Sequence, residues 1–138
     1  MIIKNILVAE DIRQELGNKL SLMGIVGDTI NIEITPEAPK DMPIPIILSS
    51  LITIENDRAE PINGFVLEVT MSIGEQQIAK MGAKIGPDGN PRFLHLPVPR
   101  FEFAATESVI LTIDAKILKD NDLMSESSSS LNVNINRS

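Results

Sequence analysis

Alternation of apolar and polar residues with a period of two is the pattern that most constrains the fold of this chain. It is clearest in residues 29–35, 65–73, 108–118 and 131–136, where every second residue is apolar. A period of two places alternate side chains on opposite faces of a β-strand. These segments are therefore predicted to be strands with one face in a core.

Turn signals rich in Gly, Pro, Asn and Asp separate the predicted strands at intervals of about 8–12 residues, a spacing typical of β-sandwiches and barrels. The apolar residues are largely β-branched, the chain has no Trp or Tyr, and only four residues are Phe. β-Branched side chains pack well on a pleated surface. We predict one all-β domain over residues 1–138, an antiparallel β-sandwich of immunoglobulin-like or C2-like type with roughly eight to nine strands.

Several local features refine this prediction. Gly27-Asp28 predicts a hairpin between residues 20–26 and 29–35, and Gly74-Glu75 predicts another between 65–73 and 76–85. Four prolines in residues 36–45 predict a crossover or an edge segment, and Pro97 and Pro99 predict a strand at an edge or a bend. Residues 11–16 are the helix candidate, and residues 119–130 are predicted to be a polar, serine-rich turn.

Charge and cysteine content exclude several function classes. The formal net charge is −7 and the sequence pI is about 4.6. Binding to nucleic acid or to an anionic membrane requires clustered Lys and Arg, so neither partner is predicted. The chain contains no cysteine, which excludes disulfides, thiolate metal sites and a cysteine nucleophile. No cofactor and no metal are predicted.

The first residues do not resemble a secretory signal, because Lys4, Asn5 and Glu10 interrupt the apolar run. No apolar stretch reaches the roughly 18 residues that a transmembrane helix needs. A cytoplasmic location is therefore predicted.

One segment departs from the simple alternation. Residues 9–28 read AEDIRQELGNKLSLMGIVGD and place several charged residues between two apolar runs. The possible interaction or structural cluster consists of Glu10, Asp11, Arg13, Lys19 and Asp28. The carboxylates are candidates for a cation site, and the two basic residues for an anion site. Local ion pairs are the favoured interpretation, with Arg13 bridging to Asp11 or Glu10.

The same segment resembles an uncharacterised bacterial family, a domain of unknown function. Members of that family open with a strand that ends in E-D-[VI]-R and continue with G-x-K-x-S-L-x-G. The matching residues here are 10–13, EDIR, and 17–24, GNKLSLMG. The resemblance covers roughly the first thirty residues and implies a small β-sandwich. It implies no activity.

A catalytic role is not predicted. His95 is the only histidine, and neither a G-x-S-x-G elbow nor a second histidine accompanies it. It is interpreted as a half-exposed strand residue. Gly82, Gly86 and Gly89 are interpreted as turn glycines, because they do not lead from a strand into a helix.

Three functions remain open at this point. The favoured one is a non-catalytic protein-interaction or ligand-binding module, with a protein partner or self-association through loops or a strand edge near residues 36–45 or 97–99. The alternative is a structural subunit of a larger homo-oligomeric or phage-like assembly. A small hydrolase-type enzyme is the least favoured.

Overall fold

The computed structural model describes residues 1–17, 19–86 and 89–137. This part of the chain contains nine strands and no helix. The strands are β1 (Ile2–Glu15), β2 (Lys19–Val26), β3 (Thr29–Ile34), β4 (Ile44–Glu55), β5 (Phe65–Ile73), β6 (Gln76–Lys84), β7 (Phe93–Ala105), β8 (Val109–Lys119) and β9 (Asp122–Arg137).

The nine strands form two sheets that pack face to face, so the predicted β-sandwich is confirmed. The first sheet has the order β2-β1-β4-β7, and the second has the order β3-β9-β8-β5-β6. Every neighbouring pair is antiparallel except β3 and β9, which run parallel.

The core lies between the two sheets and is supplied by alternate residues of each strand. Phe65, Ile52, Ile54, Met71 and Leu111 are fully buried there. β4 is apolar on both faces, as expected for an inner strand, and it lies between β1 and β7. Branched aliphatic side chains fill most of this core. The core is therefore closely packed although the chain has only four aromatic residues.

Polar contacts fix the segments that connect the strands. The Asn56 side chain is buried and bonds both to the carbonyl and to the amide of Glu60, at 2.7 and 3.0 Å. The Met1 ammonium group donates to the Asp57 carboxylate at 2.8 Å, and this bond lowers the pKa of Asp57. Arg137 donates to the backbone carbonyls of residues 39, 42 and 106, which ties the proline-rich crossover to the end of β9.

The hairpin predicted at Gly27-Asp28 is wrong. β2 pairs with β1 in the first sheet, whereas β3 pairs with β9 in the second. The Asp28 carbonyl accepts a hydrogen bond from the amide of Asn132 at 2.8 Å, where the parallel pairing begins. The glycine and the aspartate therefore let the chain cross from one sheet to the other.

The polar turn predicted at residues 119–130 is too long. The turn occupies Asp120 and Asn121, both with positive φ, and β9 begins at Asp122. Ser125, Ser127 and Ser129 pair opposite residues of β8 that lie in the core. The serines keep the two-residue period of a strand, but hydrophobicity does not reveal it.

Two other predictions are confirmed. β5 and β6 form the hairpin that Gly74-Glu75 predicted. β7, which contains Pro97 and Pro99, is an edge strand of the first sheet. Proline has no N–H for a sheet ladder, so an edge is where a strand tolerates it.

One buried hydroxyl lacks a partner among the described residues. Ser50 is fully buried on the core-facing side of β4, between Val8 and Val98, and its Oγ makes no hydrogen bond. Burying an unsatisfied hydroxyl costs about 1–3 kcal/mol.

Ser50→Ala is expected to raise the free energy of unfolding by about 1 kcal/mol, because it removes the unsatisfied group and only one heavy atom. Chemical denaturation followed by circular dichroism measures the change. Ser130→Ala serves as a control, because that hydroxyl is exposed and bonds only to Thr112. A loss of stability in Ser50→Ala would contradict this account of the site.

Candidate functional site

The first strand, β1, separates from its neighbour β4 before either strand ends. β1 pairs with β4 only as far as Ala9 and Ser49, but it continues to Glu15. Over residues 11–15 it pairs with β2 alone. The predicted helix at 11–16 is therefore wrong, and these residues form one arm of a two-stranded projection. We call residues 10–17 and 19–26 the hairpin.

The hairpin has two faces. Register pairs Ile12 with Leu22 and Gln14 with Leu20, so these four side chains share one face. The other face carries Asp11 beside Met23 and Arg13 beside Ser21.

The hairpin lies back over the outer face of the first sheet. Ala9, Ser49 and Leu51 are on that outer face, away from the core cluster, and yet all three are buried. One cavity is lined jointly by the hairpin and by outward-facing residues of β4 and β7. The hairpin therefore covers part of the sheet from which it emerges.

A glycine marks the position where the hairpin bends. Gly24 has a φ of +65°, and the carboxyl carbon of Glu10 lies 2.7 Å from the point where a Cβ would be placed. A residue with a side chain is disfavoured in that backbone conformation and would displace Glu10. The contact with Glu10 thus explains why position 24 of this chain is glycine.

The structure separates the five residues of the predicted cluster. Asp11 accepts hydrogen bonds from the amide of Ile12 at 3.0 Å and from Nε of Arg13 at 3.4 Å. The bridge between Asp11 and Arg13 is present, but both side chains are substantially exposed. Such an exposed pair contributes at most about 1 kcal/mol to stability.

The remaining three lie apart from that bridge. Glu10 rests on Gly24, Lys19 stands near the hairpin tip opposite Glu15, and the Asp28 carboxylate accepts a bond from the Thr29 hydroxyl at 3.1 Å. Within the described ranges, no group of three or more His, Cys, Asp or Glu side chains is placed to hold a metal ion. The candidate cation site therefore has no counterpart in this part of the structure.

The cavity beneath the hairpin has a volume of about 630 Å³. Its apolar lining comes from Leu20 and Leu22 of the hairpin on one side and from Leu51 and Pro97 of the sheet on the other. Its polar lining comes from Gln14, Glu15, Lys19 and His95. A volume of about 300–1,000 Å³ with an apolar lining and a few polar groups is typical of small-ligand sites. We call this space the hairpin cavity.

His95 is exposed on the outer face of β7. One ring nitrogen, Nδ1, is 3.1 Å from the hydroxyl of Thr53 on β4. The prediction of a strand histidine is correct, although the side chain is more exposed than expected. This hydrogen bond holds the ring at the edge of the hairpin cavity.

A second depression, of about 720 Å³, lies on the outer face of the second sheet. Charged and hydroxyl side chains line it almost completely, and Glu68 and Lys80 form an ion pair there at 3.5 Å. It has no apolar floor, and alternating charges are ordinary on the solvated face of a sheet.

Sequence patterns missed the most exposed apolar residue. Leu16, the last residue of the predicted helix, stands at the tip of the hairpin and is 95% exposed. On β2, Met23 and Ile25 are 45% and 62% exposed. An apolar residue directly before a turn glycine was the available signal, because turns are usually polar.

No family profile matches the chain, and no curated protein matches it. The resemblance of residues 10–24 to an uncharacterised family therefore stays a prediction. The fold defines the chain as a two-sheet β-sandwich with a hairpin that covers part of one outer face. The described part of the chain also includes no helix long and apolar enough to cross a membrane.

Replacing Gly24 tests the bend. Gly24→Ala is expected to lower the free energy of unfolding by about 1–2 kcal/mol, because alanine is strained at positive φ and Glu10 must move. Denaturant unfolding measures the loss. Gly27→Ala is the matched control, because its added Cβ meets no atom within 4 Å. Equal stability in the two variants would show that Gly24 imposes no bend.

Proposed function

We propose that this chain is a non-catalytic protein-interaction module that binds an extended segment of a partner along the free edge of β2. In this mode the partner strand adds to the first sheet and forms main-chain hydrogen bonds with β2. The observation that carries the proposal is the exposed apolar surface of β2, an edge strand on the projecting hairpin.

The other three edges carry features that oppose strand addition. β7 contains Pro97 and Pro99, β6 carries Lys80 and Lys84, and β3 has only six residues. Prolines, lysines and short length are the usual devices by which proteins protect sheet edges. This comparison moves the predicted pairing site from the proline-containing segments to β2.

The free edge of β2 has the opposite character. It extends over eight residues without proline, and its one charged residue, Lys19, is at its start. Met23 and Ile25 present apolar side chains beside the unpaired backbone. Backbone pairing would supply affinity there, and these two side chains would supply specificity.

A second copy of the chain is the alternative partner, and the register of β2 supports it. Antiparallel pairing of two β2 strands centred on Met23 would place Ser21 of one copy opposite Ile25 of the other. No like charges would face each other across such a two-fold contact. The chain would then be a subunit of a homo-oligomer.

Introducing positive charge on this surface tests the proposal. Met23→Lys combined with Ile25→Lys is expected to abolish strand addition, because two exposed lysines protect an edge. The measurement is affinity capture from the source cells, with chemical cross-linking and mass spectrometry to identify the bound species. Light scattering of the purified chain at several concentrations distinguishes a second copy from another protein.

The matched control is Leu123→Lys combined with Met124→Lys. These residues are 51% and 46% exposed, close to the values for Met23 and Ile25. They lie on the first half of β9, which pairs with β8 alone, so the control also tests a second unpaired strand edge. We expect the control to retain every species that the unaltered chain captures or forms. Loss of binding in both double variants, or in neither, would contradict the proposal.

A further inference from the structure

Gln14, Leu20 and Leu22 face the hairpin cavity from the side of the hairpin opposite Arg13 and Met23. Register places Glu15 and Lys19 on the side of Arg13, so these two residues border the cavity from the hairpin tip. We propose that the hairpin cavity binds a small amphiphile with an apolar body and a single carboxylate, of the size of a medium-chain fatty acid. This inference is independent of strand addition at β2, because it concerns a different surface and a different class of ligand.

The apolar body is inferred from the apolar lining of the cavity. Leu20 and Leu22 come from the hairpin, whereas Leu51 and Pro97 come from the sheet beneath it. Apolar surface therefore faces the space from two sides. An alkyl chain between these two layers would be removed from water on both sides, which favours binding.

The carboxylate is inferred from the hydrogen-bond donors of the polar lining. Lys19 borders the cavity at the hairpin tip, and its ammonium group, which forms no ion pair with any described residue, is within reach of the opening. His95 uses Nδ1 for its contact with Thr53, which leaves Nε2 free to bond a ligand. Gln14 adds an amide donor. An ammonium group and an imidazole in one apolar-lined cavity complement an anionic head group.

Glu15 would repel a bound carboxylate, so its neutralisation provides a second test with the opposite expected result. It lines the same cavity and stands directly across the hairpin from Lys19. Its negative charge lowers the affinity for an anion. Neutralising Glu15 should therefore strengthen binding, whereas neutralising Lys19 should weaken it.

Calorimetric titration with three probes of equal chain length tests the proposal. Octanoate is expected to bind, and octanol and octylammonium are expected to bind at least about tenfold more weakly, because they lack the charge-assisted bonds. Lys19→Gln should weaken octanoate binding by about tenfold, and Glu15→Gln should strengthen it. Leu22→Ser should weaken all three probes, because it removes part of the apolar lining.

Lys84→Gln is the control for net charge, since Lys84 is an exposed lysine of β6 outside the hairpin cavity. It should bind octanoate as the unaltered chain does. Circular dichroism establishes that each variant is folded. The proposal would be overturned by three results: no heat at millimolar octanoate, equal binding of the three probes, or equal weakening by Lys19→Gln and Lys84→Gln.

Discussion

The divergence of β1 from its neighbour β4 is the constraint on which the rest of the candidate site depends, because β4 continues beyond Ser49 to Ile44 with β7 as its only partner. The ladder between them ends at Ala9 and Ser49, six residues before β1 ends. Beyond that point β1 has only β2 as a partner, and an isolated two-stranded hairpin is marginally stable in water. Packing against the outer face of the first sheet supplies the missing apolar contact. The bend at Gly24 permits it.

Most of the architecture follows from local pattern. The alternation in residues 65–73 and 108–118 marks two adjacent strands of the second sheet, because one face of each is buried and the other is solvated. The continuous apolar character of β4 marks an inner strand, which is covered on both faces over residues 48–52. In these segments the residues that the sequence pattern predicts to be buried are buried in the fold.

The sequence was less informative where the structure depends on pairing between strands that are far apart along the chain. Gly27-Asp28 is as suitable for a sheet crossing as for a hairpin, and only the parallel contact of β3 with β9 distinguishes them. The spacing of Ile12 and Leu16 fits a helical turn, but Ile12 pairs with Leu22 and Leu16 is at a hairpin tip. The partner strand overrides a weak local propensity.

The candidate site is only partly visible in the sequence for the same reason. The charged residues of 10–28 stand out by composition, and Lys19 does line the hairpin cavity. His95, Leu51 and Pro97 come from strands far along the chain, so no local spacing connects them with the hairpin. They come together because β4 and β7 are neighbours and the hairpin lies across both.

The central claim is that the hairpin lies over the outer face of the first sheet. Nuclear Overhauser contacts from side chains of the hairpin to outward-facing residues of β4 and β7, among them Leu51 and His95, test it most directly. The account predicts these contacts in the unaltered chain in solution. A hairpin with regular β1–β2 contacts but none to Leu51 or His95 would contradict it.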